Sequence, residues 1–216
     1  MEIGKNITSL LEKLPATVEL VAVSKTKSNE EILEAYNAGQ RKFGENKIQD
    51  MTRKYETLPK DIQWHMIGHV QSNKVKYMAP YVSLIHGVDS LKLLKEINKQ
   101  AQKNNRIIDC LLQIHIAKEE SKFGLSFQES QEAIKIAKEL PHLQIKGLMG
   151  MATFTEDQKQ IEREFAGLKS LYDQYIQQKI PLKVLSMGMS GDFLIAIEQG
   201  SNMIRVGSKI FGSRNY

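Results

Sequence analysis

Cysteine occurs once, at Cys110, which excludes an intrachain disulfide and a cysteine-based zinc site. No stretch longer than 12 residues lacks Asp, Glu, Lys and Arg; the two longest are 62–73 and 77–88. A spanning helix needs ~20 apolar residues, so a membrane protein is not expected. The first residues interleave Glu2, Lys5, Glu12 and Lys13 with short apolar pairs, unlike the unbroken apolar core of a signal peptide. A cytoplasmic protein is the expectation. No basic run of five exists, although the net charge is +5 and the pI about 9.1. The 30 Lys and Arg mostly lie within a few residues of Glu or Asp, so they read as a solvated surface rather than a nucleic-acid patch.

Several motifs are absent too. There is no GxGxxG. The pair Gly39 and Gly44 has P-loop spacing, but Glu45 and Asn46 stand where Lys and Ser/Thr are needed. His65 and His69 are four apart without the Glu of HExxH, on a segment that reads as strand, so zinc is not expected. The run from Gly188 to Gly191 lacks the spacing of a nucleophile elbow. Cys110 lies in an apolar run and reads as buried and inert, and His86 and His115 as structural.

What is present is ordinary globular composition, 41% apolar and 25% charged, which argues against disorder, collagen and coiled coil. The pattern alternates. An amphipathic helix over 1–14 precedes strands over 19–25, 42–45, 63–68, 84–88, 108–116, 145–151, 184–187 and 203–211. Helices fall between them over 28–38, 46–55, 71–78, 90–104, 126–140, 156–178 and 193–199. Ser28 with Glu31 has the spacing of a capping box. Eight strands, each but the last followed by a helix, predict a single (β/α)8 barrel over 1–216, a TIM barrel in the α/β class with an extra N-terminal helix. An open doubly wound sheet is the alternative. A barrel places its site at the C-terminal ends of the strands.

Side chains alternate along a strand, so Lys25 shares a face with Val21 and Val23 and points into the barrel mouth. Two readings stand. Lys25 is a rim lysine reaching water, or an imine-forming amine activated by desolvation and by Lys27 nearby. The small residues at 186–191 lead into a helix, as phosphate-binding loops do, or as an ordinary turn capped by Ser190 or Asp192. Arg205 and Gly207 share a face of the last strand, and Gly207 and Ser208 can add N–H groups to the same anion cradle. Asn46 is a ligand contact or, more simply, the cap of the next helix. His69 falls at a strand end near the mouth.

Taken in order, these pieces resemble the pyridoxal phosphate homeostasis protein family, similar to the N-terminal barrel of alanine racemase. The matching segments are Ala22-Val23-Ser24-Lys25-Thr26-Lys27, Phe43-Gly44-Glu45-Asn46, Trp64-His65-Met66-Ile67-Gly68, Gln71-Ser72-Asn73-Lys74, Val88-Asp89-Ser90, Lys122-Phe123-Gly124, Gly147-Leu148-Met149, the run from Leu185 to Asp192 and the run from Ile204 to Gly212. Ser28, Lys47, Gly87 and His115 depart from the usual family residues. The resemblance implies pyridoxal 5′-phosphate (PLP) as cofactor, held as a Schiff base on Lys25. It places Ser190, Gly207 and Ser208 at the phosphate, Asn46 near the ring hydroxyl and Arg205 at the ring nitrogen. It implies a monomer acting in PLP (vitamin B6) and amino-acid homeostasis, with amino acids as partners; a reversible imine could pass PLP to apo PLP-enzymes, and Arg205 at the ring nitrogen makes the ring a weak electron sink, so little or no turnover is expected. The tyrosines at 36, 55, 77, 81, 172, 175 and 216 fall mainly on helices or the C-terminus, away from the mouth where a racemase needs a second acid–base group. A minimal PLP-dependent amino-acid racemase using Lys25 is the alternative, and a cofactor-free Schiff-base aldolase is a third reading.

Overall fold

The computed structural model describes residues 2–119 and 123–212. Eight parallel strands close into a barrel in chain order. They are β1 (Glu19–Val23), β2 (Lys42–Glu45), β3 (Gln63–Met66), β4 (Leu84–Val88), β5 (Ile108–Gln113), β6 (Leu143–Met149), β7 (Val184–Ser186) and β8 (Met203–Val206). Helix α1 (Glu2–Leu11) precedes β1. The crossovers are α2 (Asn29–Asn37), α3 (Ile48–Thr57), α4 (Val75–Met78), α5 (Leu91–Lys103), α6 (Phe127–Ala137), α7 (Gln158–Gln177) and α8 (Phe193–Glu198). A last short helix, α9 (Ser208–Phe211), follows β8.

The helices begin where side chains can accept the free N–H groups of a first turn. Ser28 and Ser126 each form a capping box, with Glu31 and Glu129. Ser90 and Asp157 cap α5 and α7. The strand period of two then divides the apolar residues between two cores. Val21, Leu84, Leu111, Met149 and Met203 face inward and fill the barrel. Their neighbours, among them Ala22, Phe43, Trp64, Ile85, Leu112, Leu148 and Ile204, face outward into the layer under the helices. At Gly147 the β6 and β7 backbones come so close that a Cβ would lie 1.7 Å from the Val184 carbonyl oxygen. Helix α1 packs on α2 and α9, and the Asn6 amide donates to the Ile210 carbonyl at 3.0 Å.

Three expectations need correction. The last strand stops at Val206, and its expected second half is α9. Gly207 therefore lies between strand and helix, and Ser208 opens α9. The expected helix over 71–78 is a 3-10 turn (Ser72–Lys74) running into α4. Asn46 is not a cap, because Lys47 holds the N-cap position of α3, without a side-chain cap bond.

Candidate functional site

A cavity of about 610 Å³ opens at the C-terminal ends of the strands. Lys25, Asn46, Ser190, Arg205, Gly207 and Ser208 all line it. They come from the ends of β1, β2, β7 and β8, so closure of the barrel brings together residues that the chain keeps far apart. Val23, Ile67, Met151 and Ile161 supply apolar wall, and Phe123, Phe154 and Met189 stand exposed at the rim. Apolar walls with a few converging polar groups suit a small polar ligand.

The turn that carries Lys25 is clamped from behind. The Ser24 N–H donates to the Gly44 carbonyl at 3.0 Å, and the Ser24 hydroxyl to Glu45 Oε1 at 2.6 Å. Lys54 Nζ, from α3, donates to the Ser24 carbonyl at 2.9 Å and to Glu45 Oε1 at 2.7 Å. Both charged side chains are buried, at 4% and 1% exposure. The other Glu45 oxygen, Oε2, has no hydrogen-bond partner. Thr26 has φ 67°, a left-handed turn that follows Lys25 directly. Lys27 lines the same cavity, but its amine is held by Glu31 at 3.0 Å and the Phe211 carbonyl at 2.9 Å. Its charge is therefore shared with a carboxylate rather than left beside Lys25.

The loops after β7 and β8 are tied together. The Gly207 N–H donates to Ser190 Oγ at 3.2 Å. Asp192 sits at the N-cap position of α8 but accepts from the Met189 N–H at 2.6 Å instead of capping. The turn thus uses Ser190 to hold the β8 end, and neither residue serves as the simple cap. A Cβ at Gly207 would come within 3.2 Å of the Val23 carbonyl, so glycine lets this turn lie against the end of β1. Ser208 is exposed at the rim.

Arg205 is buried, and burial lowers its pKa to about 10. It stays a cation at neutral pH. Its NH1 donates to the Ser186 carbonyl at 3.0 Å and to the Ser186 hydroxyl, and its NH2 to the Gly150 carbonyl at 3.1 Å. Ser186 Oγ in turn meets His86 Nδ1 at 3.3 Å, and His86 Nε2 meets His65 Nδ1 at 3.0 Å. Both imidazoles are buried. Burial, with Lys42 adding repulsion, lowers His65 from 6.5 to about 3. Burial, with His65 and Arg205 adding repulsion, takes His86 well below 6.5.

These depressed values carry a prediction. Both rings are neutral when folded and titrate near 6.5 when unfolded, so the unfolded chain binds more protons below that pH. Stability is full above about pH 6.5 and is lost as pH falls toward about 3, by up to ~1.4 kcal/mol per pH unit for each ring. Urea melts at pH 7.5 and 5 should show a drop of roughly 2–4 kcal/mol. A loss that His86→Gln and His65→Gln leave undiminished would assign it to carboxylates instead.

His69 lines the cavity as its position at a strand end suggests. Its Nδ1 lies 2.8 Å from Asp89 Oδ2, and its ring stacks on Phe123 at 3.9 Å. The role of Asp89 was not legible as a pair, because His69 and Asp89 end different strands and meet only when β3 and β4 lie side by side. The contact of Ser186 with His86 was not legible for the same reason. Among the described residues lining the cavity there is no tyrosine, and Tyr216 and Lys122 lie outside the described residues. Cys110 is buried, and burial raises its thiol pKa, so it is inert as expected. No described helix is long and apolar enough to cross a membrane.

The family model for the alanine racemase N-terminal domain matches residues 2–215. A pyridoxal phosphate homeostasis protein of Aquifex aeolicus is 40% identical over 200 residues, covering 92% of this chain and 88% of that one. One from Helicobacter pylori is 43% identical over 197 residues, covering 90% and 87%. Among solved structures, PipY of Synechococcus elongatus with PLP bound superposes with a TM-score of 0.89 at 34% identity, covering 97% of this chain and all of that one.

Proposed function

The chain belongs to the alanine racemase N-terminal domain family and, within it, to the pyridoxal phosphate homeostasis proteins, and on that footing we propose that it holds PLP as a Schiff base on Lys25. Its role in this reading is cytoplasmic PLP and amino-acid homeostasis, as a monomer, with little or no turnover. The observation that carries the reading is that six residues of matching chemistry line one cavity: an amine, two hydroxyls, an amide, a guanidinium and a glycine turn. The PLP-bound relative of the same fold supports it.

Each residue has a task that its chemistry fits. Lys25 offers the amine. Ser190, Ser208 and the Gly207 turn sit where a phosphate would meet hydroxyl and backbone donors. Asn46 offers an amide to the ring hydroxyl. Arg205 can only donate and keeps its proton, so a pyridine nitrogen against it stays unprotonated. When bound, PLP supplies an aldehyde carbon that exchanges between amines, and a ring with an unprotonated nitrogen is a weak electron sink. Reversible storage and release to a free amine, including an apo-enzyme's lysine, then dominate over transamination.

One observation favours the enzyme reading. His69, held by Asp89, is an oriented imidazole in the same cavity, and racemisation needs an acid–base group beyond Lys25. One experiment separates the two. The protein is incubated with PLP, reduced with borohydride and mapped by peptide mass spectrometry; a parallel sample is given L-alanine and assayed for D-alanine. The expected result is a single adduct on Lys25 with D-alanine at background. Scattered labelling would overturn the cofactor reading. Steady racemisation lost in His69→Ala would replace the carrier with a racemase.

A further inference from the structure

We propose that Arg205 fixes the proton positions of a buried chain, Ser186–His86–His65, that crosses the barrel interior, and that His86 is a positioning residue for the Arg205 guanidinium. The inference deepens the PLP reading, since Arg205 is the group assigned there to the ring nitrogen.

The direction of the chain follows from counting protons. Guanidinium has five N–H donors and no acceptor. Three of the contacts it makes are donations to Ser186 O, Ser186 Oγ and Gly150 O. Ser186 Oγ therefore accepts from Arg205, and its single proton must go elsewhere. The other partner in reach is His86 Nδ1, at 3.3 Å. If Ser186 donates there, His86 Nδ1 holds a lone pair and the neutral ring carries its proton on Nε2. That proton points to His65 Nδ1 at 3.0 Å, which must then be an acceptor. His65 in turn carries its proton on Nε2. The reverse order would leave the Ser186 hydroxyl proton buried without an acceptor, since Ser186 is fully buried.

The chain has two distinct ends. Arg205 lines the cavity at the C-terminal ends of the strands. His65 lines a second cavity, of about 360 Å³, at the opposite end, together with Glu19, Lys42, Gln63 and Met203 from the strand starts. The charged groups on the two sides are Arg205 above and, below, Lys42 paired with Glu19 at 2.6 Å, with Asp109, Lys146 and Lys183 on the wall of the same lower cavity; of these, Arg205 and Lys42 oppose protonation of the imidazoles. A neutral His86 with its Nδ1 lone pair toward Ser186 keeps the hydroxyl oxygen open to Arg205. Two guanidinium N–H groups then remain for a ligand in the upper cavity.

The test starts with the protein free of PLP. Histidine is labelled with ¹⁵N, His65 and His86 are assigned through His65→Gln and His86→Gln, and their tautomers are read from long-range ¹H–¹⁵N spectra. Both rings are expected as the Nε2–H form, unchanged from about pH 8 to about 5.5, whereas an ordinary histidine titrates near 6.5. Ser186→Ala should turn His86 into a mixture of tautomers. An Nδ1–H form at His86, or titration of either ring near 6.5, overturns the chain; an unmoved His86 in Ser186→Ala overturns the part of Arg205. PLP titrations then test positioning. His86→Leu should weaken PLP binding about tenfold and shift the absorption band of the bound ligand. His86→Gln keeps an acceptor for Ser186 and should restore both. A His86→Leu protein that matches the parent in affinity and spectrum overturns the positioning role. A parent protein that binds no PLP defeats the functional reading, and the tautomers still decide the proton chain.

Discussion

Lys25→Ala is expected to remove the borohydride-fixed PLP adduct completely and to leave a fold that melts within a few degrees of the parent. The two halves of this result come from different parts of the structure. Covalent attachment needs an amine at the end of β1, and the other cation beside it, Lys27, is committed to Glu31 and to the Phe211 carbonyl. Residual binding rests on the groups that Lys25 does not carry: Ser190, Ser208, the Gly207 turn, Asn46 and Arg205. It should be reversible and weaker by on the order of 100-fold or more, about 2.8 kcal/mol at 1.4 kcal/mol per tenfold. Stability changes little, because Lys25 is half-buried on the wall of an open cavity and its truncation leaves no closed void. Intact-mass spectrometry after reduction reads the first half, and a thermal melt the second. An adduct that persists at full yield would move the imine to another lysine, with Lys27 the first to examine.

The barrel was legible because its signals are local. Short, largely apolar runs separated by helical periodicity, with serine and Asp/Glu at helix starts, give the order of elements without any long-range information. Ser28 with Glu31 is read from spacing alone and forms the box. The cavity residues were legible in part for a topological reason, since a barrel collects strand ends at one face. Arg205 could be placed by alternation within β8, while Lys25 and Gly207 lie just past the ends of β1 and β8 and reach the cavity by following those strands. The errors lie where local pattern and tertiary context compete. The segment Ser208-Lys209-Ile210-Phe211 suits strand or helix, and packing of α9 on α1 decides for helix. Asn46 is a good cap by type, but Lys47 takes the position, and Asn46 turns to the cavity. The pairings His69–Asp89, His86–Ser186 and Lys54–Glu45 were beyond reach, because each joins residues on different elements. No single-sequence period encodes such a contact.

Lys54→Met is expected to cost about 3–5 kcal/mol, because it leaves the Glu45 carboxylate buried with one oxygen already unpartnered and the other stripped of its cation. For a chain of this size each kcal/mol moves the midpoint by about 2–4 °C, so the melt should fall by roughly 6–20 °C. The double variant Lys54→Met/Glu45→Leu removes both charges and should recover most of the loss, since a buried pair often stabilises no more than apolar residues of similar volume. Its value as a comparison lies in what it does not recover. Lys54 also donates to the Ser24 carbonyl, and Glu45 accepts from the Ser24 hydroxyl. Two of the bonds that hold the residue before Lys25 therefore disappear, while the Ser24 N–H bond to Gly44 remains. A stable double variant should load PLP more slowly than the parent, as the Lys25 backbone samples a wider range beside the left-handed turn at Thr26. Equal rates of adduct formation in the double variant and the parent would show that the ion pair serves packing alone. A rate that recovers in Glu45→Gln, with Lys54 kept, would place the control in the hydrogen bonds to Ser24 rather than in the charge, because the glutamine oxygen still accepts from the Lys54 amine and the Ser24 hydroxyl while the carboxylate charge is gone.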